Sequence, residues 1–458
     1  MYLASAVTRL PLFLVVVSAS FWAGILYSRM PTDGAVSFAL TTTHRRASRD
    51  PCVGRYVFMQ ELPPRFNADI LAGCATTEGR WSDMCEQVSN AGLGEPLAAT
   101  GPDPDGGEAA AALTGATGWY ATQQFALDAI FHGRMRRYRC LTNDSSAASA
   151  VFVPFYAGFE FMLHNWGYDN ETRDAASRDL ARWLTRSPEW RRAAGRDHFL
   201  VAGRTAWDFQ RDYIQSAQWG NRLMELDAAR NMTVLVVESS MRGNDMAVPY
   251  PTYFHPRTDA QVRDWQKRIR SASRPWLMSF VGAPRPDAPR NIRSEVIAQC
   301  NGSPKCQQLR CANGATQCHA PADIIRLFRR SVFCLQPPGD SYTRRSAFDA
   351  MLAGCVPVFF HPSSAYLQYV WHLPKDHARY SVFIPEDQVR AAAGNVSFIE
   401  ETLSRIPPAT VREMQAEVVR LVPGLVYADP RHTLDTVKDA FDLAVQGVLR
   451  KLTDTLNN

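Results

Sequence analysis

Residues 331–360 read SVFCLQPPGDSYTRRSAFDAMLAGCVPVFF. Val332 to Leu335 is a short apolar run of the buried-strand type. Pro337, Pro338 and Gly339 stop it. Ser346 to Ala353 has helical composition, and Gly354 sits where a helix C-terminal glycine belongs. Val356 to Phe360 is a second apolar, β-rich run. The expected unit is strand, tight loop, helix, strand. Asp340, Ser341, Tyr342, Thr343, Arg344 and Arg345 open its helix, so hydroxyls and two guanidinium groups gather at a helix N-terminus. Unpaired backbone N–H groups and the helix dipole favour an anion there. Phosphate is the expected guest, because Arg offers it paired donors.

Working outward, strands alternate with helices along the chain, which predicts parallel sheets. Arg55 to Met59, Ala150 to Tyr156, His198 to Ala202 and Met232 to Val237 read as strands of a first half. Tyr120 to Tyr138 and Asp174 to Leu184 read as its helices. Arg257 to Ser273 is polar and charged and reads as a boundary. Trp276 to Val281 then starts a second half, continued by Asp323 to Phe328, the 331–360 unit and Ser381 to Ile384. Leu434 to Leu452 reads as an amphipathic helix through Val437, Phe441, Val445, Val448 and Leu452. With 458 residues, two domains are expected. The fold class is α/β, with two domains facing a cleft. Ligands of such sheets sit at the carboxyl ends of the strands, where Gly339 to Arg345 falls.

Apolar content of 46% and charged content of 21% are those of an ordinary globular protein. The net charge of +5 is small, and Lys and Arg are scattered, so nucleic acid is not an expected partner. Leu10 to Tyr27 is uncharged and apolar, with Arg9 before it and Arg29 after it. It reads as an uncleaved signal anchor with a cytoplasmic N-terminus. The competing reading is a signal peptide cleaved near Ser18-Ala19-Ser20. Both send the remainder into the secretory lumen. Ten cysteines suit disulfides in that compartment, although Cys334 and Cys355 read equally as buried thiols. Five sequons mark Asn143, Asn170, Asn231, Asn301 and Asn395 as glycosylation candidates.

The expected organisation is a tail and signal anchor at 1–29, a stem at 30–50, a first α/β domain at 51–260, a second at 274–430 and a C-terminal helix at 431–458. Residues 91–118 are rich in Gly, Ala and Pro and read as a disordered insertion. Asp103-Pro104-Asp105 lies inside it, and its low-complexity setting argues against a metal role. No other metal cluster is apparent.

CVGRYVFMQELPPRFNADIL, WYATQQFALDAIFHGRM, GRDHFLVAGRTAWDF, VPYPTYFHP and CLQPPGDSYTRRSAFDAMLAGCVPVFFHP together span roughly Cys52 to Leu449. In that order they resemble the exostosin-like glycosyltransferases of family 47, in the plant xyloglucan galactosyltransferase branch. The resemblance implies two Rossmann-like domains of GT-B type. It also implies an inverting transfer of galactose from UDP-galactose to xylosyl side chains of xyloglucan in the Golgi. The implied enzyme is a type II Golgi membrane protein with its catalytic part lumenal, acting without a metal or other cofactor, with the UDP-sugar as co-substrate. Other glycosyltransferases are conceivable partners. Relatives in the branch resemble enzymes that use UDP-galacturonic acid or UDP-arabinopyranose, or that act on mannan.

Such a transfer needs a stabilised leaving diphosphate, an acceptor hydroxyl that loses its proton, and aligned substrates. Gly339, Asp340, Ser341, Thr343, Arg344 and Arg345 are the donor-binding candidates, with Arg285 as a second phosphate contact. Asp349 lies four residues after Arg345 and is either its surface ion-pair partner or, by the resemblance, the acceptor of the donor's ribose hydroxyls. Asp197-His198 is the first candidate for the base, and Glu238, at the end of a strand, is the second. His255 and His361 read as structural. Trp119, Tyr120, Tyr156, Phe159, Trp166, Trp207 and Trp219 crowd the first half, and some suit an acceptor groove. Two other classes compete. Gly339-Asp340-Ser341 with Asp429 and His432 resembles the blocks of GDSL-type esterases, and a non-catalytic glycan-binding relative is the third reading.

Overall fold

Two wholly parallel sheets carry the chain. In the computed structural model, the first has the order β2-β1-β3-β4-β5-β6 and is built from β1 Val57–Met59, β2 Leu141–Thr142, β3 Ala150–Val153, β4 His198–Val201, β5 Thr233–Val236 and β6 Asp245–Ala247. The second has the order β11-β10-β9-β7-β8. It is built from β7 Trp276–Gly282, β8 Cys306–Arg310, β9 Ser331–Gln336, β10 Val356–Phe359 and β11 Val382–Phe383. The structure describes residues 50–76, 84–97, 117–216, 218–284, 292–311, 320–392 and 394–457. Cys52–Asn458 forms one unit. The expected anchor, most of the stem, Asp103, Asp105 and Arg285 lie outside the described residues. Among the described residues no helix is long and apolar enough to cross a membrane.

The central strands β3, β4 and β5 are buried throughout, which is why they are near-continuous apolar runs rather than alternating ones. The 331–360 unit forms as expected, with its helix at Arg345–Leu352 and Gly354 behind it at φ +72°. Cys334 and Cys355 are not free thiols but a disulfide joining β9 to the residue before β10. Cys52–Cys140, Cys74–Cys85 and Cys300–Cys306 are also bonded.

Three segments differ in detail from the expected reading. The 257–273 segment, which lies between the last strand of the first sheet and the first of the second, contains a packed helix, Asp259–Arg270. Thr258 caps it, and Val262, Trp265 and Ile269 are buried on one face. The Trp265 indole donates to Leu352 O at 2.8 Å, tying this helix to the second sheet's layer. The C-terminal helix starts at Ala440, not Leu434. Asp259 holds the backbone N–H groups of Asp435 and Thr436 at 3.0 and 2.9 Å, keeping them out of a helical ladder. Asp439 and Asp442 then cap the helix reciprocally. Finally, the 91–118 insertion is shorter than expected. Leu93 is fully buried, and Pro96 bridges Tyr120.

The Ala440–Asn457 helix returns to the first sheet, where Phe441 meets Phe131 with ring centroids 4.7 Å apart. Its Gly447 lies against the Trp371 ring, where an added Cβ would sit 2.2 Å from the nearest ring atom. Alanine favours a helix over glycine by about 1 kcal/mol, whereas overpacking costs about 1–3 kcal/mol. We expect Gly447→Ala to lower the melting temperature despite its better helix propensity. A rise in thermal denaturation experiments would show that the ring yields.

Candidate active site

In the second sheet, β8 lies to one side of β7 and β9 to the other, so the strand order reverses between β7 and β9. The crevice of a doubly wound sheet lies outside the carboxyl ends of such a pair. Two arginines close the backbone there. Arg344 donates from one Nη to Val281 O at 2.8 Å and from the other to Pro337 O at 3.4 Å, spanning the ends of both strands. Arg293, buried at the start of the Arg293–Gly302 helix, donates to Pro338 O and Ala283 O, both at 3.1 Å. Glycine leaves room for both guanidiniums where they stand. A Cβ on Gly282 would come within 3.0 Å of the Arg344 guanidinium, and one on Gly339 within 2.8 Å of that of Arg293.

Arg345 does not join Arg344. Its guanidinium lies 3.6 Å from the centre of the Tyr253 ring, donates to Thr122 O, and pairs with Asp349 at 3.3 Å. The expectation that both guanidiniums clamp one phosphate is therefore not met: they point to different places. Asp349 is buried with Arg345 instead of lining the crevice, which answers its two expected roles with an ion pair that is internal, not superficial. Asp340 is exposed. Tyr342, 45% exposed, stacks on His361 at 4.1 Å.

The hydroxyls of Ser341 and Thr343 are already engaged. Both donate to Glu238 Oε2, from Ser341 Oγ at 2.6 Å, and the Thr343 backbone N–H adds a third bond at 2.8 Å. Glu238 sits just past the carboxyl end of β5, so its carboxylate ties the first sheet to the loop after β9 of the second. Burial pushes its pKa up, opposed by the bonds it accepts. Tyr250 completes the contact, its hydroxyl 3.0 Å from that of Thr343.

The other expected base is elsewhere. His198 is the first residue of β4, at the amino end, and fully buried. Its Nδ1 is 2.7 Å from Asp197, which also pairs with Arg192, and its ring meets Trp190 edge-on. In a parallel sheet this is the edge opposite Glu238, so the pair serves packing rather than the carboxyl-edge site. His255 is buried between Tyr427 O and Thr252 O, as a structural histidine should be. The esterase triad is not assembled among the described residues, although His432 Nδ1 lies 3.6 Å from Asp429. Ser341 is bonded to Glu238, while Asp429 is held by Arg257 and Arg431 at 3.0 and 2.8 Å. The asparagines of all five sequons are exposed.

The family described as the exostosin GT47 domain matches residues 51–402. The chain belongs to the exostosin GT47 family. It is 53% identical over 421 residues to "Xyloglucan galactosyltransferase MUR3" of Arabidopsis thaliana, covering 92% of this chain and 65% of that protein. It is 45% identical over 405 residues to "Probable xyloglucan galactosyltransferase GT12" of the same plant, covering 88% and 77%. Among solved structures, a spinosyn rhamnosyltransferase, SpnG, matches with a TM-score of 0.31 and 10% identity, over 68% of this chain and 95% of that one.

Within this GT47 domain, Arg293 and Tyr250 are the site residues that sequence reading missed. Arg293 follows a Pro-rich loop and reads as one more scattered cation. Only its place at the start of a helix after β7, beside Gly339, brings it to the candidate site.

Burial pushes the Asp349 carboxyl up from 3.8 to about 6, against the pull of Arg345. Between those values the folded protein holds a proton that the unfolded chain releases. This group therefore stabilises the fold most at low pH, and its contribution fades as pH rises from about 4 to about 6. Asp349→Asn should flatten that limb of the pH–stability curve by about 3 kcal/mol. Denaturant midpoints between pH 4 and 7 check this, and an unchanged slope would refute it.

Proposed function

We propose that this protein is an inverting, UDP-sugar-dependent glycosyltransferase of GT-B type. It transfers galactose from UDP-galactose to xylosyl side chains of xyloglucan, in the Golgi lumen and behind an N-terminal anchor. The observation that carries the reading is the β7/β9 switch point. There, Arg344 and Arg293 converge on glycine-lined backbone within a GT47 domain whose relatives carry xyloglucan galactosyltransferase names.

The chemistry follows from the placement. The UDP diphosphate docks at the carboxyl ends of β7 and β9, where Arg344 supplies positive charge as the bond between the sugar C1 and the phosphate oxygen breaks. The acceptor hydroxyl attacks C1 from the opposite face and its proton passes to the Glu238 carboxylate, inverting the configuration. Burial makes that carboxylate more basic than a solvated one, and Ser341 and Thr343 fix its orientation. Cationic side chains take the leaving-group role, so no metal is required.

The test is incubation with a panel of UDP-sugars and galactose-free xyloglucan oligosaccharides. UDP-galactose should give β-galactosylated product, and transfer should survive chelation of divalent metals. Glu238→Gln should lower kcat by at least about 100-fold while UDP still binds. Arg344→Ala should weaken UDP binding itself. Full activity in both variants would overturn the assignment, and a product only from UDP-galacturonic acid or UDP-arabinopyranose would replace the donor.

A further inference from the structure

Contiguous exposed apolar patches mark ligand or partner surfaces, unlike single exposed side chains. On the first sheet's side, Trp166 and Tyr168 are 47% and 49% exposed. Trp166 is not isolated. It meets Trp219 with ring centroids 4.9 Å apart, and Trp219 stacks on Trp207 at 5.7 Å and 28°. Tyr168 adjoins the same turn through His164, at 5.2 Å. The three indoles form a row whose inner two rings are half-buried and whose outer ring is exposed.

The row begins beside the proposed reaction centre. Trp207 follows Thr205 and Ala206, and both pair with Glu238: Thr205 through a parallel β-bridge, Ala206 by an N–H donated to Glu238 O at 2.8 Å. The Trp207 indole N–H has no partner among the described residues, leaving a donor unused at the row's inner end.

The row is also rigidly backed. Asp208, fully buried, accepts the Trp219 indole N–H at 2.7 Å and also bonds Arg204 and Thr205. The Arg204 guanidinium lies between the rings of Phe125 and Phe161, 4.1 and 4.4 Å from their centres. Several nearby charges are paired, Arg211 with Asp174, Arg222 with Asp212, and His164 with Glu160, and Asp169 accepts the Thr172 N–H as a helix cap. An aromatic row whose neighbouring charges are largely engaged suits a neutral ligand with flat apolar faces. A β-linked pyranose with equatorial substituents has such faces, because its axial C–H bonds line both sides of the ring. Those weakly positive hydrogens match the electron-rich indole face.

We infer that Trp207, Trp219, Trp166 and Tyr168 form a docking ridge for the neutral β-linked glucan backbone of the acceptor polymer, leading its side chain to Glu238. The inference rests on the proposed acceptor class, but its test does not rest on turnover. Wild-type protein, Trp166→Ala/Tyr168→Ala and Trp166→Phe are run through native gels containing xyloglucan polymer. In parallel, kcat and KM are measured with polymer and with single-repeat oligosaccharides too short to reach Trp166. The double variant should bind polymer about tenfold more weakly. Its KM for polymer should rise equally, with kcat, the KM for UDP-galactose and the KM for short oligosaccharides unchanged. Trp166→Phe should retain most of the retardation. If the double variant, with its thermal stability intact, is retarded like wild type, the ridge is refuted whatever the transfer activity. If wild type is retarded, the double variant is not, and no galactose is moved, the ridge stands and the galactosyltransferase reading fails.

Discussion

A single carboxylate oxygen joins the two sheets where chemistry is expected. Glu238 ends a strand of the first sheet and accepts three bonds from Ser341 and Thr343, which lie in the loop after β9 of the second. Hydrogen bonds to a charged group are worth about 1.5–3 kcal/mol each. Leaving this carboxylate buried without its donors would cost more than any surface pair on the molecule. The consequence reaches beyond stability. The same hydroxyls that a sequence reader would assign to a phosphate instead orient the group best placed to take a proton. The loop after β9 is thereby held in register with the first sheet.

The two neighbouring arginines divide the remaining work. Arg344 braces the carboxyl ends of β7 and β9 through backbone carbonyls and stays at the crevice. Arg345 turns inward and is neutralised by Asp349 against the Tyr253 ring. A buried charge is costly unless it is paired or hydrogen-bonded, so Arg345 gives Asp349 a role before any ligand is considered. Arg344 is the extended residue before the helix and Arg345 is its first residue, so the backbone turns between them and the two side-by-side arginines do not form one clamp.

What was legible from the sequence follows from locality. β3, β4, β5, β9 and β10 announce themselves as short apolar runs because parallel strands are buried on both faces. The 331–360 unit could be read almost whole because its signals lie within thirty residues of one another. The Asp259–Arg270 helix escaped because Val262, Trp265 and Ile269 are spread among charges, and composition outweighed spacing. Likewise, the apolar period from Val437 onward hid the Asp259 carboxylate that unwinds the chain before Ala440.

The site was legible only to the level of the loop. Glu238 meets Ser341 across 103 residues of sequence, and Arg345 meets Thr122 across 223, so no window of the chain contains either pair. Asp197-His198 attracted attention because an adjacent acid and histidine imitate a catalytic couple in one dimension. In three dimensions the direction of the strand decides. A residue that opens a parallel strand and one that ends it lie on opposite edges of the sheet, and only the ends face the crevice. His198 opens β4 and Glu238 follows β5, so strand polarity alone separates the two candidates, independently of either group's titration.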